Sequence, residues 1–313
     1  MPYASYQNPQ TKTAWVFPGQ GVQTCRMGKD LIKLPFAKAR FEQAEQILGW
    51  SIPEVCQSGD GKLSRTLYIQ PCLYVVSCIL ADLMQERQYQ PNLLAGYSLG
   101  EYIALYVAGV LDFEAGLELI KKRAQIMEKL PVGTMAVLKG LNYKQLEQQL
   151  QQLPNVWRAN DDLNQVVISG TPQAVETLLA HVQTNCVFPL NVRVAFHSPL
   201  MATAVAKFRP ILESTPFNRA KVPIISSTQL VPTIEAFSLK ENLIRQITEP
   251  VRWRAISLRL RAESIKQVVE IGPGKVLTSQ MRSICPDFIL NNVRDATSLP
   301  LPAKAFPSSR IYL

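Results

Sequence analysis

Short apolar runs alternate with longer amphipathic runs along most of the chain, which predicts strands separated by helices. Ala14–Phe17 (AWVF) stops at Pro18-Gly19, and Leu93–Ala95 stops at Gly96. Val222–Ser226 (VPIIS) and Val268–Ile271 (VVEI) come much later, the last closed by Gly272-Pro273-Gly274. Helical patterns lie between them, among them Pro71–Arg87, Gly100–Val110 and Phe113–Leu130. Strands alternating with helices imply an α/β fold with a mainly parallel sheet covered on both faces.

One stretch reads differently. Thr134–Leu138 (TMAVL) predicts a strand, Tyr143–Leu153 a Gln-rich amphipathic helix, and Asn164–Ser169 (NQVVIS) a strand ending at Gly170. A helix over Pro172–Gln183 and a strand over Cys186–Val192 follow. This β-α-β-α-β order suits a small ferredoxin-like subdomain, residues 133–197, inserted into a large subdomain of residues 12–132 and 198–295. Residues 1–11 and 296–313 read as terminal extensions, polar or punctuated by proline. The cleft between two subdomains is a favoured place for a ligand.

Composition narrows the class. Of 313 residues 47% are hydrophobic and only 18% charged, enough apolar matter for a sizeable core and too little charge for wholesale disorder. The most apolar run, Cys72 to Met84, is short and interrupted by Asp82, so no membrane span and no membrane partner are expected. The polar start MPYASYQNPQTKT has no apolar signal core, which predicts a cytoplasmic protein. Six cysteines are scattered without paired metal spacing, and no metal site is expected; Cys72 and Cys78 read as buried free thiols. The net charge of +9 attracts anionic partners. Nucleic acid is not among them, because no basic run interleaved with aromatics and no helix-turn-helix or zinc-finger spacing occurs.

The sharpest chemical signal is Gly96-Tyr97-Ser98-Leu99-Gly100, a G-x-S-x-G between an apolar strand and an apolar helix. A tight strand-to-helix turn pushes Ser98 outward, and the helix start behind it offers free N–H groups to an oxyanion. A serine hydroxyl needs a base, and the chain has two histidines. His181 sits on a helix of the small subdomain, where a structural role is expected. His197, in VAFHSP at the exit of that subdomain's last strand, can face the cleft and is taken as the base. Phe17-Pro18-Gly19-Gln20-Gly21 puts a turn at the end of the first strand, where a backbone N–H can complete an oxyanion hole. Arg123 ends a Lys-Lys-Arg run, which on spacing alone reads as a solvated helix face.

Taken together these residues resemble the malonyl-CoA:acyl-carrier-protein transacylase family, from Thr13 to about Val293. The resemblance rests on FPGQG (17–21), IQPCLYVVS (69–77), GYSLGEY (96–102), LIKKRAQIM (119–127), GTMAVLKG (133–140), NQVVISG (164–170), AFHSPLM (195–201), QITEPVRW (246–253) and EIGPGKVL (270–277). Among its members the chain looks most like the free-standing acyltransferases of trans-acyltransferase polyketide synthases. The resemblance implies an α/β-hydrolase-like large subdomain and ping-pong transfer of malonyl from coenzyme A to an acyl carrier protein. Ser98 would be the nucleophile, His197 its base, and the Gln246 main-chain carbonyl the group that orients the imidazole. The N–H groups of Leu99 and Gln20 would hold the oxyanion, and Arg123 would bind the malonyl carboxylate.

The family usually has histidine before the nucleophile, where this chain has Tyr97. That tyrosine puts bulk and a hydroxyl beside the substrate carboxylate. Phe196 should narrow the pocket against an α-branched extender. Two other readings compete: an acyl hydrolase that clears stalled chains from carrier proteins, and a non-catalytic scaffold that docks them. Arg123 argues against the first and the Ser98–His197 pair against the second. No cofactor is expected, since acyl-CoA is a substrate. The expected partners are malonyl-CoA and an acidic carrier protein, which the +9 charge suits, and the expected state is a monomer.

Overall fold

The computed structural model describes residues 11–163 and 165–302. Most of both expected extensions, residues 1–10 and 303–313, lies outside the described residues, as does Asn164 at the start of one expected strand. The first half of the chain runs β1 (Thr13–Phe17), α1 (Pro35–Leu48), α2 (Ile52–Gln57), α3 (Thr66–Glu86), β2 (Leu93–Gly96), α4 (Gly100–Val107) and α5 (Phe113–Glu128). Next come β3 (Thr134–Lys139), α6 (Tyr143–Gln152), β4 (Val156–Asp161), β5 (Gln165–Gly170), α7 (Pro172–His181) and β6 (Cys186–Pro189). The remainder is α8 (Ala202–Ser214), β7 (Ile224–Ile225), α9 (Ala236–Gln246), α10 (Trp253–Ala262), β8 (Gln267–Ile271), α11 (Val276–Ile284) and β9 (Ile289–Val293).

Two sheets result. The larger is parallel throughout, in the order β7-β2-β1-β8-β9. Alternate residues of its central strands feed two cores. Trp15, Phe17, Leu94 and Val269 pack with α3, while Ala14, Val16, Ala95 and Val268 pack with Trp253, Ile256 and Leu260 of α10 and Leu277 and Met281 of α11. A strand buried on both faces has no polar side to show, which explains the apolar runs; Glu270 of β8 is the exception, its buried carboxylate accepting from the Leu277 and Thr278 N–H groups of α11.

The second sheet is antiparallel, in the order β4-β5-β3-β6. Ala136, Leu138, Val166 and Ile168 lie under α6 and α7, and the opposite face carries Met135, Ala159 and Val167. This unit has one strand more than the sequence pattern predicts. The missed strand, β4, contains a register shift between Arg158 and Asn160, and that bulge breaks the two-residue alternation. The Val251 N–H donates to the Ala159 carbonyl at 2.9 Å, tying β4 back to the larger half.

Other boundaries also differ. Helix α3 begins at Thr66, not Pro71, because Glu128 of α5 accepts from the Leu67 N–H at 3.3 Å and from Arg65 Nε at 2.8 Å. Those contacts hold a first turn that local sequence does not specify. Among the described residues α3 is the one helix long and apolar enough to cross a membrane, and it is buried inside the molecule. The Val222–Ser226 run contributes only Ile224–Ile225 to the sheet, and the Cys186–Val192 run pairs only to Pro189. The expected C-terminal tail does not leave the body at residue 296. Leu299 is buried in the core, and Tyr89 donates to the Leu301 carbonyl at 2.9 Å.

Candidate active site

Strands β1 and β2 are neighbours, so their carboxyl ends bring Gln20 and Ser98 to one edge of the parallel sheet, the usual ligand edge of such sheets. Between β2 and α4 the chain must reverse within Tyr97-Ser98-Leu99. Ser98 adopts φ +53°, a left-handed conformation that a non-glycine residue adopts only under constraint. The constraint is the packing on either side. A Cβ on Gly96 would run into the backbone of Gly100 and Glu101, and one on Gly100 would run into the Phe17 carbonyl of β1. The glycines therefore let β1, β2 and α4 close together, and the turn they form presents the Ser98 hydroxyl.

His197 lies beyond β6 on a segment that is also left-handed, with φ +57°. Its Nδ1 is 2.9 Å from the Gln246 carbonyl and 3.2 Å from the Glu249 carbonyl. Both are acceptors only, so Nδ1 carries the proton and donates. Nε2 is then free to accept the Ser98 hydroxyl proton, at 2.9 Å. Burial, followed by the nearby Arg123 cation, pushes the imidazole pKa down to about 4, so the ring is neutral at physiological pH.

Of the Lys-Lys-Arg run only Arg123 turns inward. It occupies the buried face of α5, a helix whose start is capped by Asp112 accepting from the Ala115 N–H. Its Nη1 donates to Gln70 Oε1 at 2.6 Å and its Nη2 to Ser98 Oγ at 3.2 Å. Its Nε is buried with no hydrogen-bond partner. Burial lowers its pKa, with Tyr102 and Glu101 acting in the opposite direction.

A cleft opens onto these groups. Gln20 and Leu99 line it on the parallel-sheet side, while Met135, Ala159, Val167 and Phe196 line it on the other. Tyr97 lies between the two sides. Its ring packs on Trp253, with centroids 5.9 Å apart, and its hydroxyl accepts from the Asn160 side chain.

Known proteins are similar to this chain in sequence and fold. Residues 14–305 match the acyl transferase domain family. A malonyl CoA-acyl carrier protein transacylase of Synechocystis sp. is 47% identical over 283 residues, covering 90% of this chain and 97% of that protein. Its crystal structure superposes with a TM-score of 0.90. The chain belongs to the malonyl-CoA:acyl-carrier-protein transacylase family. A polyketide-biosynthesis transacylase of Bacillus subtilis is 36% identical, covering 87% of this chain and 97% of that protein. A malonyl-transacylase solved in complex with a type II polyketide synthase acyl-carrier protein is 32% identical, with a TM-score of 0.88 over 92% of this chain and 98% of that one.

In this transacylase each residue that sequence assigned to the site lines the cleft or touches a residue that does. Ser98, His197, Arg123, Gln20, Leu99, Tyr97 and Phe196 line it, and Gln246 meets His197 from behind. His181 stays apart, its Nδ1 2.8 Å from the Thr177 carbonyl one turn back on an exposed helix face. Three participants escaped sequence reasoning. Gln70 steers Arg123, and the only hint was its place in the IQPCLYVVS block. Asn160 holds Tyr97 from a strand the pattern did not reveal. The Glu249 carbonyl, a second acceptor for His197, is a main-chain atom with no signature in residue type.

Proposed function

We propose that this transacylase moves a malonyl group from coenzyme A to the phosphopantetheine thiol of an acyl carrier protein through an ester on Ser98. As Ser98 Oγ attacks the thioester carbonyl, its proton passes to His197 Nε2. The tetrahedral oxyanion sits on the N–H groups of Leu99 and Gln20. Collapse breaks the C–S bond, and His197 returns the proton to the departing thiolate. The carrier thiol then repeats these steps in reverse order, giving its proton to His197 and releasing Ser98. The Gln246 carbonyl keeps the imidazole in the tautomer both halves need.

The observation that carries the malonyl assignment is Arg123. A buried guanidinium beside the nucleophile, with Nε unpartnered, is an expensive feature that an unsubstituted acyl chain would leave unused. A malonyl carboxylate matches its fork. The names of the relatives agree. The +9 charge suits docking of an acidic carrier protein. We assign residues 133–197 to a ferredoxin-like small domain, supported by the order β-α-β-β-α-β, and residues 12–132 and 198–295 to an α/β-hydrolase-like large one. The buried free thiols Cys72 and Cys78 fit a cytoplasmic protein.

Intact-protein mass spectrometry after mixing with malonyl-, acetyl- and methylmalonyl-CoA tests the proposal. Malonyl should label fastest, and the label should move to a carrier protein faster than to water. Preferential labelling by acetyl, with release mainly to water, would favour a hydrolase instead.

A further inference from the structure

Glu101 follows Ser98 by three residues and is buried at 3% exposure, yet the acyl-transfer steps do not use it. Its carboxylate accepts from the Ser227 N–H at 3.0 Å, Ser227 Oγ at 2.9 Å and Ser226 Oγ at 3.1 Å. The Gln246 side-chain amide lies against the same carboxylate. That amide also donates to the Ser98 carbonyl at 3.1 Å, an oxygen that accepts the Glu101 N–H as well. A second route leads to the same helix. The Thr228 N–H donates to Ser226 Oγ at 3.3 Å, and Thr228 Oγ1 donates to Asn242 Oδ1 at 2.9 Å, one turn before Gln246 on α9. Every member of this network is buried. Arg252 secures the far side of the segment by donating to the Ser227 and Thr228 carbonyls.

We infer that Glu101 is a positioning residue: its carboxylate fixes the last turn of α9, and thereby the carbonyls that hold the His197 Nδ1 proton. In serine triads an acid touches the imidazole directly. Here the acid is displaced by one residue, and a main-chain carbonyl makes the contact in its stead. The carboxylate suits the task because it only accepts, and three of its neighbours here are donors. An amide at this position would turn N–H groups toward some of them and loosen the grip.

This inference rests on His197 being the base, and its test separates the two ideas. The chain has only two histidines, so ¹⁵N-histidine labelling gives one ring signal set for His197 and one for His181. In substrate-free wild type, His197 should appear as the neutral Nδ1–H tautomer with a slowly exchanging proton. In Glu101→Gln that proton should exchange faster and the second tautomer should appear. Acylation kcat should fall about 30- to 100-fold, the scale of a small misplacement of a reacting group, while KM for malonyl-CoA changes less than about threefold. Unchanged ring signals overturn the inference, whatever the rate does. A rise in KM confined to malonyl-CoA also overturns it, because Glu101 would then act through Arg123. Should Glu101→Gln fail to fold, Thr228→Val cuts the second route alone, and the same changes are expected at about fivefold; no change there overturns the inference. If wild type forms no ester on Ser98, the acyl-transfer reading fails instead, and the ring signals still report on Glu101.

Discussion

In the parallel sheet β1, β2 and β8 are buried along both faces, whereas in the antiparallel sheet β6 is exposed along its whole length. The first sheet is a platform locked between two cores, and its carboxyl edge carries the turn that presents Ser98. The second keeps one face dry under α6 and α7 and lends the other to the cleft, through Met135, Ala159 and Val167. His197 and Phe196 sit where the chain returns from the second sheet to the first. The difference suggests a division of labour. On the proposed reading the nucleophile hangs from the doubly buried sheet, and the wall that faces the acyl group belongs to the half-exposed one.

Substitutions on the platform should therefore cost the most. Ser98→Ala should abolish covalent labelling by acyl-CoA while the protein still folds, as checked by mass spectrometry and a melting curve. Persistent labelling would place the nucleophile elsewhere. His197→Ala should slow acylation by about 10³-fold, the usual worth of a base acting with its nucleophile. The pH profile sharpens this. With the imidazole pKa lowered to about 4 from the ordinary 6.5, the neutral base persists as pH falls, and acylation should drop only near pH 4. Below 6.5 the unfolded chain takes up a proton that the folded one refuses, so stability should decline between pH 6.5 and 4. An acid limb near 6.5 would contradict the burial of His197.

Arg123 comes next, at the boundary of platform and cleft. Removing one partner of a desolvated charge pair costs about 2–5 kcal/mol, or roughly 30- to 4,000-fold. Arg123→Ala should lower kcat/KM for malonyl-CoA by at least about thirtyfold and leave acetyl-CoA unchanged or improved. If both substrates fall together on folded protein, Arg123 is structural.

The same division decides what could be read in advance. The elbow was legible because its geometry demands residue types: Gly96 and Gly100 have no room for a Cβ. The central strands were legible because burial on both faces favours apolar residues. Strand β4 was not, since VWRAND ends in polar residues and its bulge shifts the alternation. The first turn of α3 depends on Glu128, far along the chain. Glu101 stands in GYSLGEY, an acid opening an apolar helix, but its partners Ser226 and Ser227 lie 125 and 126 residues away. Local pattern carries steric demands well and distant hydrogen bonds not at all.

The smallest effect, and the most direct test of the wall, concerns Phe196. It is half-buried, lines the cleft, and packs against both the main core and the cleft face of the antiparallel sheet. On the proposed reading an α-methyl on the incoming acyl group competes with this ring for space. One methyl group in an apolar pocket is worth about 1–3 kcal/mol, or 10- to 200-fold. Phe196→Ala should therefore raise the methylmalonyl-to-malonyl ratio of kcat/KM by about tenfold. The ratio matters more than either value, because Phe196 precedes His197 and its loss can shift the base. Such a shift would slow both substrates alike and cancel in the ratio. A changed ratio with little loss of malonyl transfer means that the half-exposed side sets acyl selectivity. An unchanged ratio with both rates depressed means that Phe196 belongs to the support of His197, and the division between platform and wall would have to be drawn on the other side of that residue.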